Sequence, residues 1–144
     1  MTSEQVELEM DAPVSAVWAA LMDVQSWPDW TPTVTSVERL DDGPLAVGSR
    51  TRIKQPRMAA IVWEVCTLDA GREFTWVGRS PGVLTAGGHL LTTAGERTRL
   101  TLSITHTGPL AGLIGRLTRS RTRRYLIREA EGLQASAQAR QRTA

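Results

Sequence analysis

The side chains of this sequence that could move a proton or hold a metal are few and widely spaced. There are two histidines, His89 and His106, and one cysteine, Cys66. The histidines stand far apart, no HExxH pattern occurs and no second cysteine exists, so neither a metal nor any other cofactor is expected. His89 follows TAGG and shares a face with Leu91 if that segment is a strand. A histidine in such apolar company is ordinarily a hydrogen-bonded core residue, and the sharper reading makes it a polar group in a pocket. His106 closes its strand and reads as a cap or surface residue. Cys66 sits in AIVWEVCTL, where a buried, inert thiol is expected.

No carboxylate occupies an expected inward position: Glu7, Glu9, Glu64 and Glu73 read as solvent-facing, and Asp69 falls in a turn. A paired-carboxylate mechanism therefore has no visible parts. Ser80 and Ser103 have no GxSxG context and no base placed by a motif. TAGGH lacks the spacing of a phosphate loop, and Gly87 and Gly88 are expected to mark a bulge or sharp bend. No catalytic constellation can be assigned, and His89 and Gln55 are the only candidates for that role.

Five tryptophans carry more information, because aromatic residues make up only 5% of the chain. Alternation along AIVWEV points Ile61, Trp63 and Val65 to one face, and FTWV does the same for Phe74 and Trp76. Ile53 inward implies Thr51 and Gln55 inward, with Arg50, Arg52 and Lys54 to solvent. These aromatics either fill a core or wall a pocket. The polar company of Gln55 and His89 is how small-molecule sites are usually built.

The elements that must position them follow from periodicity. Val6, Leu8 and Met10 alternate with Glu7, Glu9 and Asp11, a half-buried strand. APVSAVWAALMD then places Val14, Val17, Trp18, Leu21 and Met22 on one helical face, with Pro13 suited to the first turn. SWPDWTP ends that helix, and a short second turn near Pro28 to Trp30 is compatible with it. Six strands are expected near Thr33–Leu40, Ser49–Gln55, Ala59–Thr67, Glu73–Ser80, Val83–Thr93 and Arg97–His106. The turns between them are too short for crossovers, so neighbours pair as antiparallel hairpins. Gly108 and Pro109 stop the last strand, and a helix follows. Its apolar stripe changes side: Leu110, Leu113, Ile114, Leu117 and Tyr125 share one face, whereas Leu126, Ala130, Leu133 and Ala137 lie well round from it. Either the helix breaks in its arginine-rich middle or its halves pack on different neighbours. The second half is expected to seal against the sheet and the first to lie over an opening.

At 144 residues the chain suits one domain, taken as residues 1–144. A domain of that size buries roughly 68–70% of its unfolded surface and needs no disulfide. No run approaches the ~18 apolar residues of a membrane span. MTSEQVELEMD is acidic and alternating, unlike a signal peptide, so a cytoplasmic location without membrane insertion is expected. The net charge is only +2, and the arginines concentrate in RLTRSRTRRYLIR, Arg116 to Arg128. That cluster is either a solvated face or a surface for an anionic group. Only Tyr125 interrupts it with an aromatic ring, so nucleic acid is not an expected partner.

The segments APVSAVWAALMDVQSWPDWTP, LAVGSRTRIKQP, VWEV, FTWVGRSPGV and THTGPLAGL…RRYL…EAEGL resemble the SRPBCC or START-like superfamily, in its polyketide cyclase/dehydrase and lipid-transport branch. The resemblance covers nearly the whole chain. It implies an α+β helix-grip fold: a seven-stranded curved antiparallel sheet wrapped around a long C-terminal helix, with one or two short helices after the first strand. The fold hosts carriers, cyclases and co-chaperones alike, so it does not fix the activity. The leading expectation is binding of an apolar small molecule (a lipid, polyketide or aromatic metabolite) between sheet and helix. Trp30, Trp63, Phe74, Trp76 and Leu102 would supply apolar walls, Gln55 and His89 polar contacts, and Leu117 and Tyr125 the overlying helix. The alternatives are a polyketide aromatase/cyclase and a co-chaperone-like module using the arginine-rich helix. A monomer or weak homodimer is expected.

Overall fold

The computed structural model describes residues 2–143. Strand β1 (Thr2–Met10) leads into helix α1 (Val14–Met22), a single tight turn at Val24–Ser26 and the four-residue helix α2 (Trp27–Trp30). Six strands follow: β2 (Ser36–Arg39), β3 (Arg50–Lys54), β4 (Ile61–Asp69), β5 (Glu73–Ser80), β6 (Val83–Ala94) and β7 (Arg97–Thr107). Helix α3 (Ala111–Thr143) completes the order. All seven strands form one antiparallel sheet in the order β1-β7-β6-β5-β4-β3-β2. The sheet runs as hairpins from β2 to β7, and β1 returns to pair with β7.

Side-chain parity carries most of this. In β1 the even positions face in and the odd positions face out, ending at fully buried Met10. Thr51 and Ile53 of β3, Trp63 and Val65 of β4, and Phe74 and Trp76 of β5 are all buried on the same face. Burial of this apolar face against helices is what holds an open sheet in water.

Several expectations change. The segment before β2 is a turn: Val34 N–H reaches Thr31 C=O, and the buried Thr31 and Thr33 hydroxyls bond each other at 2.9 Å, so the strand starts only at Ser36. Register runs unbroken through Gly87 and Gly88, so no bulge lies there. Gly87 faces inward, where a Cβ would come within 3.1 Å of the Trp76 ring, and the missing side chain makes room for that indole. The bulge is instead on β4, between Val65 and Thr67. One extra residue there puts Cys66 and Thr67 both outside, so Cys66 is exposed rather than buried, with its Sγ donating to Thr75 C=O at 3.3 Å.

Helix α3 is continuous over 33 residues, roughly 50 Å, with no break among the arginines. It packs on β1, β7 and β6 of the sheet and on α1 and α2. Its second half meets the α1–α2 segment as well as the core. Gly132 lies directly on the Trp30 backbone, Gln138 donates to Asp11 C=O and Arg140 pairs with Asp23 at 2.9 Å. The first half is anchored along one edge to β1, where Thr2 Oγ1 donates to Ala111 C=O and Arg119 and Arg123 reach Glu4 at 2.9 and 3.3 Å. Among the described residues no helix is long and apolar enough to cross a membrane.

Candidate functional site

Between the first half of α3 and the inner face of the sheet lies a cavity of about 320 Å³. Its sheet side is formed by Ile61 and Trp63 of β4, Val83 and Thr85 of β6, and Ile104 and His106 of β7. Gln55 and Met58, in the turn after β3, and Ser80 and Pro81, at the β5–β6 turn, complete the rim. Gly82 turns that hairpin with φ of 75°, and its carbonyl accepts the Leu110 N–H at the start of α3. Helix α3 contributes Ile114, Thr118, Arg121, Thr122, Tyr125, Leu126 and Glu129, one stripe at helical spacing.

A smaller recess of about 70 Å³ adjoins it, sharing Gln55, Trp63, Ile104, Leu126 and Glu129. Its remaining walls include Trp27, Trp76, His89 and Leu102. The aromatic rings form a connected set. Trp27 lies 5.3 Å from Trp76 and 5.8 Å from His89, and Trp63 lies 5.8 Å from Trp76.

The chemistry concentrates at the recess. His89 is 5% exposed and stacks on Phe74, ring centroids 4.0 Å apart and 6° from parallel. Its Nδ1 lies 3.2 Å from Phe74 C=O. A carbonyl only accepts, so Nδ1 carries a proton toward it, and in the neutral tautomer this leaves the lone pair on Nε2. Nε2 faces Glu129 Oε1 at 3.7 Å, too far for a direct hydrogen bond. That carboxylate oxygen is buried and has no hydrogen-bond partner. When the ring is neutral both atoms are acceptors, and a ligand hydroxyl could donate its one proton to either.

The expected ligand-contacting residues divide into four groups. Gln55, Trp63 and Tyr125 line the main cavity; Trp76, His89 and Leu102 line the recess. Phe74 is fully buried beneath the His89 ring, a floor rather than a wall. Trp30 and Leu117 line neither space. The short α2 turn buries Trp27 instead and leaves Trp30 against α3, while Leu117 is 72% exposed on the outer face of α3. Leu110 and Leu113 are likewise exposed, so the inward stripe of the first half is Ile114, Thr118, Thr122 and Tyr125.

Sequence reasoning did not place Glu129, Glu4 or His106 inward, nor Trp27, Arg121 and Thr122 in the lining. Glu129 is three residues from Leu126 and four from Leu133, so the buried stripe itself placed it inward. Glu4 shares the parity of Val6 and lies inward against Arg119 and Arg123. The expectation that no carboxylate faces in is therefore corrected. His106 shares the face of Leu102 and Ile104, since β7 continues to Thr107, and it lines the cavity instead of capping the strand. Thr2 Oγ1 lies 3.5 Å from its Nδ1, and burial holds its imidazole below the ordinary value of 6.5. Among the described residues no three metal-ligating side chains cluster.

A curved sheet gripping a single long helix over an apolar cavity defines the helix-grip, START-like class of proteins. Within that class, the chain belongs to the polyketide cyclase/dehydrase and lipid-transport family, whose model matches residues 1–138. Its fold is similar to that of the Zhui aromatase/cyclase from Streptomyces sp. R1128, with a TM-score of 0.78 and 21% identity, over 96% of this chain and 94% of that one. It is also similar to TTHA0849 from Thermus thermophilus, at 0.77 and 20% over 96% and 98% of the two chains. A START superfamily protein from Mycobacterium smegmatis gives 0.74 and 13% over 95% and 97%. No curated protein is similar enough to match.

Proposed function

We propose that residues 1–144 act as one START-like domain that holds a hydrophobic small molecule, a lipid, polyketide or aromatic metabolite, beneath the first half of α3. The supporting observation is the cavity itself. Its volume of about 320 Å³ falls in the range of small-molecule sites, and indole and aliphatic walls surround a few polar groups. Gln55 and Glu129 would orient a polar end, and the apolar body would rest on Ile61, Trp63 and Ile104. Trp63 and Trp76 make the protein its own reporter. Titration with long-chain lipids, polyketides and polycyclic aromatics should shift tryptophan emission saturably for one class, and mass spectrometry of the purified protein should find that class bound. Unchanged emission with every class would remove the proposal.

A second reading rests on the His89–Glu129 pair and makes the cavity a cyclase site. In a polyketone chain folded against the indoles, His89 Nε2 would take a proton from the carbon between two carbonyls. The resulting carbanion attacks a further carbonyl carbon, forming the C–C bond, and the carbonyl oxygen takes up a proton to give the aldol. Loss of the hydroxyl with a second such proton then releases water and begins aromatisation. The Zhui aromatase/cyclase and the di-domain StfQ aromatase/cyclase share the fold. In this reading His89→Ala, Gln55→Ala and Glu129→Gln abolish turnover of a poly-β-ketone probe while far-ultraviolet circular dichroism stays native. An unchanged product profile in all three would exclude it and leave the binding role.

A further inference from the structure

Charge is distributed unevenly along the cavity. Its lining contains one guanidinium, Arg121, and one carboxylate, Glu129, on the same stripe of α3. Eight residues of helix separate them by about 12 Å along the axis. Glu129 belongs to both the main cavity and the recess, whereas Arg121 lines only the main cavity, so the two charges mark opposite ends. The neighbouring arginines that face β1 are already engaged, since Arg119 and Arg123 both pair with Glu4. Arg121 is half-buried and makes no ion pair or hydrogen bond with any described residue.

A partly desolvated guanidinium without a counterion is unfavourable, and its planar fork matches the two oxygens of a carboxylate. We propose that Arg121 selects cavity ligands bearing a carboxylate, which it holds at the end away from the recess. The ligand's apolar body then lies along Trp63 and Ile104, and a neutral hydroxyl end, which can donate, faces Glu129. The opposite orientation would set two carboxylates against each other. This assignment rests on the cavity reading above and adds to it the chemical class of the head group.

Decanoate and 1-decanol, which share an apolar tail, separate the two ideas when each competes with a polarity-sensitive dye such as N-phenyl-1-naphthylamine. Working at about pH 8 keeps His106 neutral, which leaves Arg121 as the only cation in the lining. Decanoate should displace the dye from the wild-type protein at least about tenfold more effectively than decanol. Arg121→Gln should bring the ratio to about one while decanol displacement stays within about twofold, which also shows that the variant is folded. Arg121→Lys should keep part of the preference, as a point charge without the fork. Equal displacement by the two probes in the wild type, or a preference that survives Arg121→Gln, overturns the assignment and leaves the cavity reading intact. Absence of dye and probe binding to the wild type overturns both.

Discussion

From Leu126 onward α3 buries Leu126, Ala130, Leu133 and Ala137, none more than 4% exposed, and Gly132 lets it close directly on Trp30. From Ala111 to Tyr125 the same helix touches β1 along one edge and turns Ile114, Thr118, Thr122 and Tyr125 toward an opening. The helical period is common to both halves; the side chains on the inward stripe differ. Small and branched apolar residues let the second half pack to contact. In the first half, threonines, a tyrosine and an arginine lie over the strands of the cavity wall. One half behaves as core and the other as the roof of a site, so substitutions in the two should separate stability from binding.

The largest effect belongs to the sealed half. Leu133→Ala should cost about 3 kcal/mol, because Leu133 is fully buried and its neighbours cannot collapse into the gap. Thermal denaturation should show a drop of roughly 10 °C. Tyr125→Ala, over the cavity, should cost less than about 1 kcal/mol. A Tyr125 variant as unstable as the Leu133 variant would erase the distinction between the halves.

Next comes filling the opening. Thr122→Phe should weaken binding of an apolar probe by about tenfold while moving the melting temperature by no more than about 2 °C, since the ring enters existing space. Dye titration alongside calorimetry checks this, and a strongly destabilised variant would mean that the space is not available.

Glu129 tests whether the site is maintained at the expense of the fold. Glu129→Leu removes a buried oxygen without a partner, so stability should rise by about 1 kcal/mol in denaturant titration. Ligands with a hydroxyl end should bind this variant less well. A stability loss would place Glu129 among the groups that hold the fold together.

The smallest effect is a pH dependence at His106. Above 6.5 the residue is neutral in both states. As the pH falls through 6.5 the unfolded chain takes up the proton while the buried imidazole resists it, so stability declines until the lower native value is reached. The decline should disappear in His106→Asn when chemical denaturation is followed in that window. A slope unchanged in the variant would trace it to another group.

Much of the site could be read along the chain. Strand parity alone turned Trp63, Trp76, Gln55 and His89 to one face, and the shift of the apolar stripe located the change of role within α3. The same parity contained His106 and Glu4, and the same stripe contained Glu129. Glu4 and Glu129 were passed over because a charge on an apolar face conflicts with its hydropathy, and His106 was read as a cap because the strand was expected to end there. The bulge at Cys66 and the exposure of Leu117 had no such local signal. A bulge depends on what the partner strand offers, and the outer face of a helix is known only once its neighbours are placed.

Alternation and helical spacing are properties of consecutive residues, so the sequence by itself determined which side chains share a face and where α3 changes its company. How far apart those faces stand is set by elements distant in the chain. The seating of the second half of α3 on Trp30 and the attachment of its first half to Thr2 and Glu4 hold the helix off part of the sheet. That spacing belongs to the tertiary structure alone. It opens the cavity and brings Glu129 to 3.7 Å from the His89 imidazole.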